Sequence, residues 1–329
     1  MRIGTNPEKG KESLLVHKRH RIIIPFWIPN VSDPYFVNQP TVLYHCLRSL
    51  IASIDPSQTN ITLINNHSCV EASSVAEDFV ANGLIDKYVV RGENRGKLEN
   101  VLAEARASFE EYITICDADF LFFEGWEDAV IRVFKTFENA GVVTCYPCPN
   151  LAFNYNTAWV MGNRWHLGNV IPREELALVE RGLGNTSGIG IYSGLGPRHR
   201  FRWHEKHYYL NRNSVIALPG AVHALATMKR DIIDHLPKRK IEVVFRNGYE
   251  QQHLDYFSER MGYVRLSTPK CWAYHMGNTI PEDLIVNNQS YIKTTEIFPD
   301  YNCRNRWLNF LGFNGSSLLV RAMRRLRFL

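Results

Sequence analysis

No run of 18 apolar residues occurs in the 329-residue chain, which excludes a membrane-spanning helix. The first 21 residues mix charge, Gly and Pro and lack the apolar stretch of roughly 7–15 residues that marks a secretory signal. Cysteine is sparse: seven thiols, an odd number at irregular spacing, do not form a disulfide framework, and a reducing cytoplasm is the expected location. The one C-x-x-C, Cys145-Tyr146-Pro147-Cys148, has no second pair downstream and reads as two small buried hydrophobes at a strand end. No G-x-G-x-x-G follows the first apolar run, where Pro25-Phe26-Trp27-Ile28-Pro29 stands instead, so a dinucleotide-dependent dehydrogenase is disfavoured. A phosphate-cradling P-loop is missing too.

The chain is 45% hydrophobic and 22% charged, enough apolar residues to build a core and too many for disorder. The formal charge of +5, from 38 basic and 33 acidic residues, is unevenly placed. Residues 301–329 carry six arginines and no acid, so the remainder nets −1 and no basic body suited to nucleic acid exists. Length predicts about two domains or one large α/β domain with insertions.

Apolar patterning predicts alternating elements. The run Ile22 to Trp27 reads as a strand buried on both faces, and residues 41–54 as a helix. Ile61 to Ile64 is the next strand, stopped by Asn65-Asn66-His67-Ser68, then a helix over 70–82 closed by Gly83. Lys87 to Val90, a helix over 98–109, Tyr112 to Cys116, a helix over 125–139 and a strand over 141–146 complete the series. Such alternation implies right-handed βαβ units and a mostly parallel sheet, with ligands beyond the carboxyl ends of the strands. Periodicity fails over 150–212, a stretch rich in Gly, Asn, Trp, Tyr and His. It returns with strands near 215–218 and 220–228, helices over 229–236 and 249–261, a strand at 263–266, and Cys271 to His275.

Asp117 and Asp119 close the fourth strand as Cys116-Asp117-Ala118-Asp119-Phe120. Residues i and i+2 of an extended segment face the same side, and two carboxylates held together repel unless a divalent cation joins them. Hard oxygen ligands suit Mg²⁺ or Mn²⁺, which keep positions open for phosphate. The alternative makes Asp119 a helix cap near Gly125. On the same edge, Asn65-Asn66 end the second strand and Asn94-Arg95-Gly96-Lys97 follow the third. There Gly96 permits close backbone approach, a helix start offers N–H groups, and Arg95 and Lys97 add charge for a diphosphate. Turn and capping chemistry is the competing account of all of these.

Taken together, the Asn65-Asn66 turn, Glu93-Asn94-Arg95-Gly96, Asp117-Ala118-Asp119, Gly248-Tyr249-Glu250-Gln251-Gln252-His253-Leu254 and Tyr274-His275-Met276-Gly277-Asn278 resemble the GT-A glycosyltransferases, nearest to family 2, over residues 20–280. The resemblance implies a Rossmann-like, mostly parallel sheet flanked by helices, with an irregular acceptor-side insertion and a helical C-terminal tail. It divides the chain into a basic extension (1–20), a nucleotide-sugar half (21–149), an acceptor half (150–280) and the tail (281–329). Asn65, Asn94, Arg95, Gly96, Lys97, Asp117 and Ala118 would contact the nucleotide sugar. Asp117, Asp119 and His275 would bind Mn²⁺ or Mg²⁺, and Glu250 would be the catalytic base. Two positions depart from the family pattern: Asn65 stands where Asp is usual, and Gln251 replaces the Asp of the usual Glu-Asp pair, leaving Asp255 as the next acid.

What the resemblance implies is transfer of a sugar from a nucleotide-sugar donor, UDP-sugars first, to a hydroxyl of a glycan or lipid-linked acceptor with inversion. A retaining transferase and a non-catalytic sugar- or membrane-binding module on the same scaffold are the alternatives. The aromatics of 150–212 (Trp159, Trp165, His166, Trp203, His204, His207, Tyr208, Tyr209) mostly pack the insertion, with one or two left for sugar. Gly188-Ile189-Gly190 reads as a hinge within it. In the tail, Leu319, Ala322, Met323 and Leu326 share one helical face and Arg321, Arg324 and Arg325 another. Such a basic amphipathic helix suits peripheral contact of 304–329 with an anionic membrane, or docking on the body.

Overall fold

The protein was analysed as a computed structural model that describes residues 3–7, 9–10, 17–185, 190–192, 201–238, 240–246, 248–287, 296–300 and 306–325. The first half follows the apolar runs: β1 (His20–Phe26), α1 (Gln39–Ala52), β2 (Thr59–Asn65), α2 (Val70–Ala81), β3 (Lys87–Val90), α3 (Gly96–Ala107), β4 (Tyr112–Cys116), β5 (Phe120–Phe122), α4 (Trp126–Thr136) and β6 (Ala140–Thr144). Strands β4 and β6 are buried along their whole length, as a sheet covered on both faces requires. The rest comprises α5 (Trp159–Gly162), β7 (Trp165–Gly168), α6 (Arg173–Gly182), β8 (His207–Arg212), β9 (Val215–Pro219), β10 (Leu225–Lys229), α7 (Arg230–His235), α8 (Tyr256–Arg260), β11 (Val264–Ser267), β12 (Ala273–His275), α9 (Glu282–Asn287) and α10 (Arg306–Arg325).

Ten strands form one sheet in the order β3-β2-β1-β4-β10-β6-β11-β9-β8-β7. Through its centre, from β3 to β11, the strands run parallel except β10, which is antiparallel to β4 and β6. β7, β8 and β9 extend it as an antiparallel meander. The stretch 150–212 is thus more regular than its periodicity suggests: it holds α5, β7, α6 and β8. Its aromatics pack inward, Trp159 lying 5.4 Å from Tyr208 and 5.7 Å from Trp165, ring centre to ring centre. Much of the Gly188–Gly190 hinge lies outside the described residues.

A separate two-stranded ribbon pairs β5 with β12 antiparallel, setting His275 opposite Phe120. The six described cysteines are free thiols; Cys145 and Cys148 are buried, and burial pushes both above the ordinary thiol range. The tail helix α10 docks on α5 and α8, with Ser316 and Val320 buried and Met323 packed on the core. That changes the expected faces: Leu319 and Ala322 are exposed, as are Leu311, Leu318, Arg321 and Arg325. Arg304, Leu326 and Arg327 fall outside the described residues.

At the amino-terminal edge of the sheet, Glu110 accepts Arg21 Nε at 2.9 Å and Asn60 Nδ2 at 2.7 Å. Burial raises its carboxyl, but Arg21, Asn60 and a backbone amide prevail and hold it down to about 2. A depressed carboxyl stabilises the fold above its unfolded value of 4.5, and the gain disappears as pH falls toward about 2. Glu110→Gln should therefore cost about 3 kcal/mol at pH 7, the size of that shift, and only about 1 kcal/mol at pH 2.5. Urea denaturation at both pH values checks this; a pH-independent difference would contradict it.

Candidate active site

The carboxyl ends of β1, β2, β3 and β4 open onto one cleft, where the crevice of a doubly wound sheet is expected. Two cavities adjoin there. One of about 250 Å³ is lined by Asn66, Asn94, Gly96, Lys97 and Asp117 among others. Its neighbour, about 350 Å³, is lined by Asp117, Ala118, Asp119, Gln39 and an apolar wall. They share Pro25, Phe26, Trp27, Asp117 and Phe245.

Asp117 and Asp119 both reach this cleft but take different partners. Asp117 Oδ1 lies 2.5 Å from Lys97 Nζ. Burial opposes the lysine's charge, yet Asp117 outweighs it and lifts Lys97 above the ordinary amine value. Burial also pushes the Asp117 carboxyl up; Lys97 and His223 pull it down, and the Asp119 charge adds to the rise. Asp119 Oδ2 meets His275 Nε2 at 3.2 Å, because the β5–β12 ribbon brings the two segments together. His275 Nδ1 donates to the Gly182 carbonyl at 2.9 Å, which turns Nε2 toward the aspartate. Burial disfavours charge on this imidazole, but Asp119 prevails and raises it to about 9. No side-chain cap forms at α4, so Asp119 is not a cap.

The loops after β2 and β3 interlock. Asn66 Nδ2 donates to Asn94 Oδ1 at 2.7 Å, and Asn66 Oδ1 accepts Arg95 N at 2.9 Å. Asn65, expected beside the nucleotide, is turned inward: its amide donates to Ser73 and Tyr88 and accepts Ser68 N at 2.8 Å. The cavity therefore presents Asn66 rather than Asn65. Arg95 pairs with Glu93 and Glu99, 3.2 and 3.3 Å away, and lines neither cavity. Gly96 has φ +76°, and a Cβ there would lie 2.2 Å from the Val244 carbonyl oxygen. The close approach that glycine permits is to the segment carrying Phe245, and the Gly96 amide donates to Asn94 Oδ1 at 2.9 Å.

Glu250 is half-buried and its charge is felt at Lys97. Asp255 is buried, with Oδ1 2.9 Å from Arg265 Nη2 and Oδ2 3.1 Å from His223 Nδ1. Trp27, Tyr35 and Phe245 belong to no motif of the sequence, yet they stand at the cleft mouth 45%, 57% and 79% exposed. The position of Trp27 just beyond β1 was the available signal, since strand ends on this edge face the crevice.

The residues present fit a divalent cation in part. Asp119 Oδ1 is buried with no hydrogen-bond partner among the described residues, although a carboxylate oxygen in that state is costly. A carboxylate and an imidazole nitrogen suit Mn²⁺, with remaining positions left to diphosphate oxygens and water. Asp117 is committed to Lys97, and no ready-made group of three or more metal-ligating side chains occurs among the described residues.

The model of glycosyl transferase family 2 matches residues 35–236, well over half of the chain. The chain belongs to glycosyl transferase family 2. Comparison with curated proteins gives no match. Among solved structures, a mannosyltransferase from Pyrobaculum calidifontis, in complex with GDP-Man and Mn2+, is 14% identical with a TM-score of 0.43, over 77% of this chain and 55% of that one. Residues 1–349 of TarS from S. aureus are 12% identical with a TM-score of 0.43, over 81% of this chain and 62% of that one. The family 2 chain thus spans only 55% of that mannosyltransferase and 62% of TarS residues 1–349, and likeness at this level says nothing of its substrates.

Proposed function

We propose that this family 2 chain transfers a sugar from a nucleotide-sugar donor, a UDP-sugar first, to a hydroxyl of a glycan or lipid-linked acceptor, with inversion and with Mn²⁺ or Mg²⁺. The observation that carries the reading is the Asp119–His275 pair beside a buried, unpartnered Asp119 oxygen at the cleft. Asp119 and His275 would hold the ion. Bound there, a divalent cation neutralises charge that develops on a leaving diphosphate. Lys97 adds a second positive group to the cavity that Asn66, Asn94 and Gly96 shape, and Asp117 fixes its position. Trp27 and Phe245 offer ring faces for a base or a sugar. The proton of the acceptor hydroxyl is taken from the Glu250–Asp255 side of the cleft, opposite the departing diphosphate.

Calorimetry with UDP and GDP, each with and without Mn²⁺, tests donor class and metal together. UDP is expected to bind at least tenfold tighter with the ion. Binding of neither nucleotide under any condition overturns the reading. An equatorial product from an axial donor, followed by NMR, is the inversion result; an axial product refutes it.

The outer face of α10 supports a further proposal, peripheral contact with an anionic membrane. Exposed Leu311, Leu318 and Leu319 are interleaved there with exposed Arg321 and Arg325. Each basic residue near such a surface contributes about 1 kcal/mol. Sedimentation with phosphatidylserine vesicles should fall at least tenfold in an Arg321→Glu, Arg325→Glu variant; equal partitioning removes the proposal.

A further inference from the structure

We infer that His223 is the group that accepts the proton of the acceptor hydroxyl, and that Asp255 acts through it as a positioning residue rather than as the base. The inference deepens the transferase reading of the cleft and rests on it. Glu250 is followed by Gln251, and an amide cannot take a proton at neutral pH. The nearest buried acid, Asp255, has both oxygens engaged, one by Arg265 and one by His223.

Arg265 is 1% exposed and held from several sides: Nη1 donates to the Asn154 carbonyl at 3.2 Å and Nη2 to the Ala221 carbonyl at 2.5 Å. Its guanidinium offsets the buried carboxylate charge of Asp255, so that Asp255 receives a hydrogen bond from His223 Nδ1–H. That bond fixes one tautomer and leaves the Nε2 lone pair free. Nε2 has no hydrogen-bond partner among the described residues. An imidazole oriented by a carboxylate, itself anchored by a cation, is the general arrangement of an activated base.

The position on the sheet agrees. His223 lies just before β10, which runs antiparallel to β4, so the start of β10 meets the end of β4 at the cleft edge. The Asp117 amide donates to the Ala224 carbonyl at 2.8 Å, and the His223 charge is felt at Asp117. The charged groups around His223 are therefore Asp255, with Arg265 behind it, and Asp117, with Lys97 on its far side. In the step itself, the acceptor oxygen forms a bond to the anomeric carbon. The carbon–phosphate oxygen bond breaks with its electron pair on the nucleoside diphosphate, and the hydroxyl proton passes to His223 Nε2. Asp255 offsets the imidazolium charge until the proton leaves to water.

The full-length chain labelled with ¹⁵N-histidine tests the tautomer directly: His223 is expected in the Nδ1–H form at neutral pH, and the preference should vanish in Asp255→Asn. An Nε2–H form in the wild type overturns the inference. Kinetically, hydrolysis of UDP-hexoses with water as acceptor should slow about 10²–10³-fold in His223→Gln, while UDP/Mn²⁺ affinity stays within about threefold. Asp255→Asn should slow the same hydrolysis at least tenfold, because the productive tautomer is no longer enforced, and should move the acidic limb of the rate profile to lower pH, because loss of the carboxylate lowers an imidazole pKa. A merely structural Asp255 would leave that limb in place. Wild-type rates in His223→Gln, or an acidic limb removed by Glu250→Gln instead, overturn the inference alone. Failure of the wild type to bind UDP with Mn²⁺ overturns the transferase reading itself.

Discussion

Asp119→Asn should lower turnover by roughly 10³-fold, about 4 kcal/mol of transition-state stabilisation, and the melting temperature by only about 5 °C. The two halves of this expectation come from the same atoms. In the wild type Asp119 has one oxygen on His275 and the other buried without a partner among the described residues. Such an oxygen burdens the folded state unless a cation takes it, which offsets part of the ion-pair stabilisation that the neutral amide gives up on His275. The backbone bond from Met276 N to the Asp119 carbonyl, 2.7 Å, survives the change and keeps the ribbon in register. Function has no such compensation, since the amide is a poorer ligand for a divalent ion. Calorimetry supplies a separate readout: the gain in UDP affinity on adding Mn²⁺ should disappear in the variant. Asp117→Asn should cost less, about tenfold, because its carboxylate is held on Lys97 and serves the cleft through that amine. An Asp119→Asn protein that keeps the wild-type Mn²⁺ response would remove the metal from the account.

That difference between two aspartates two residues apart shows where the sequence stops being legible. The edge was readable: four buried apolar runs alternating with helices demand a covered parallel sheet, and Asp117 and Asp119 directly follow one of them. Their partners are not legible in the apolar patterning, because partners come from distant chain; only the family resemblance sets His275 beside Asp119. His275 reaches Asp119 only through the β5–β12 ribbon, and His223 comes beside the end of β4 only because β10 inserts antiparallel between β4 and β6. Periodicity gives a strand's existence, not its neighbour. Asn65 and Asn66 mark a finer limit. Successive side chains face opposite ways, so a motif located correctly can still present the adjacent residue to the ligand, as Asn66 is here. Lys97 and Gly96 likewise sit in the expected loop, yet the lysine is drawn onto Asp117 and the glycine makes room for Val244. In the tail, helical spacing identified an amphipathic element, but the stripe that docks is Ser316, Val320 and Met323 rather than the leucines. The partner surface on α5 and α8 decides that.

The largest loss of stability should come from the opposite edge of the sheet, at Glu127. Its side chain is fully buried in α4 and receives three donors: Thr59 Oγ1 at 2.5 Å, the Asp55 amide at 3.0 Å and His20 Nδ1 at 2.9 Å. The His20 ring continues the chain of bonds through Nε2 to Thr114 at 2.6 Å, and Thr114 joins Thr227 at 2.6 Å, so the network links β1, β2, β4 and β10. Phe298 covers the imidazole at 4.7 Å, leaving no route for water to substitute as a partner. Glu127→Ala strands the donors and opens a cavity, each at a cost that a satisfied network in a dry interior avoids. The expected loss is about 3–5 kcal/mol, with a fall in melting temperature on the order of 5–15 °C. Glu127→Gln should lose less, since its amide oxygen still accepts. Glu127, His20 and Thr59 sit at the amino-terminal ends of β1 and β2, whose carboxyl ends border the cleft roughly 20 Å away for a seven-residue strand. UDP affinity in the presence of Mn²⁺ should therefore stay within twofold of wild type at 10 °C in whatever fraction is folded. Thermal denaturation beside low-temperature calorimetry checks both parts. A variant that melts like the wild type would show that the buried charge contributes nothing net. One that folds but no longer binds nucleotide would mean that the two edges of the sheet are coupled, and that β1 and β4 transmit strain along their length.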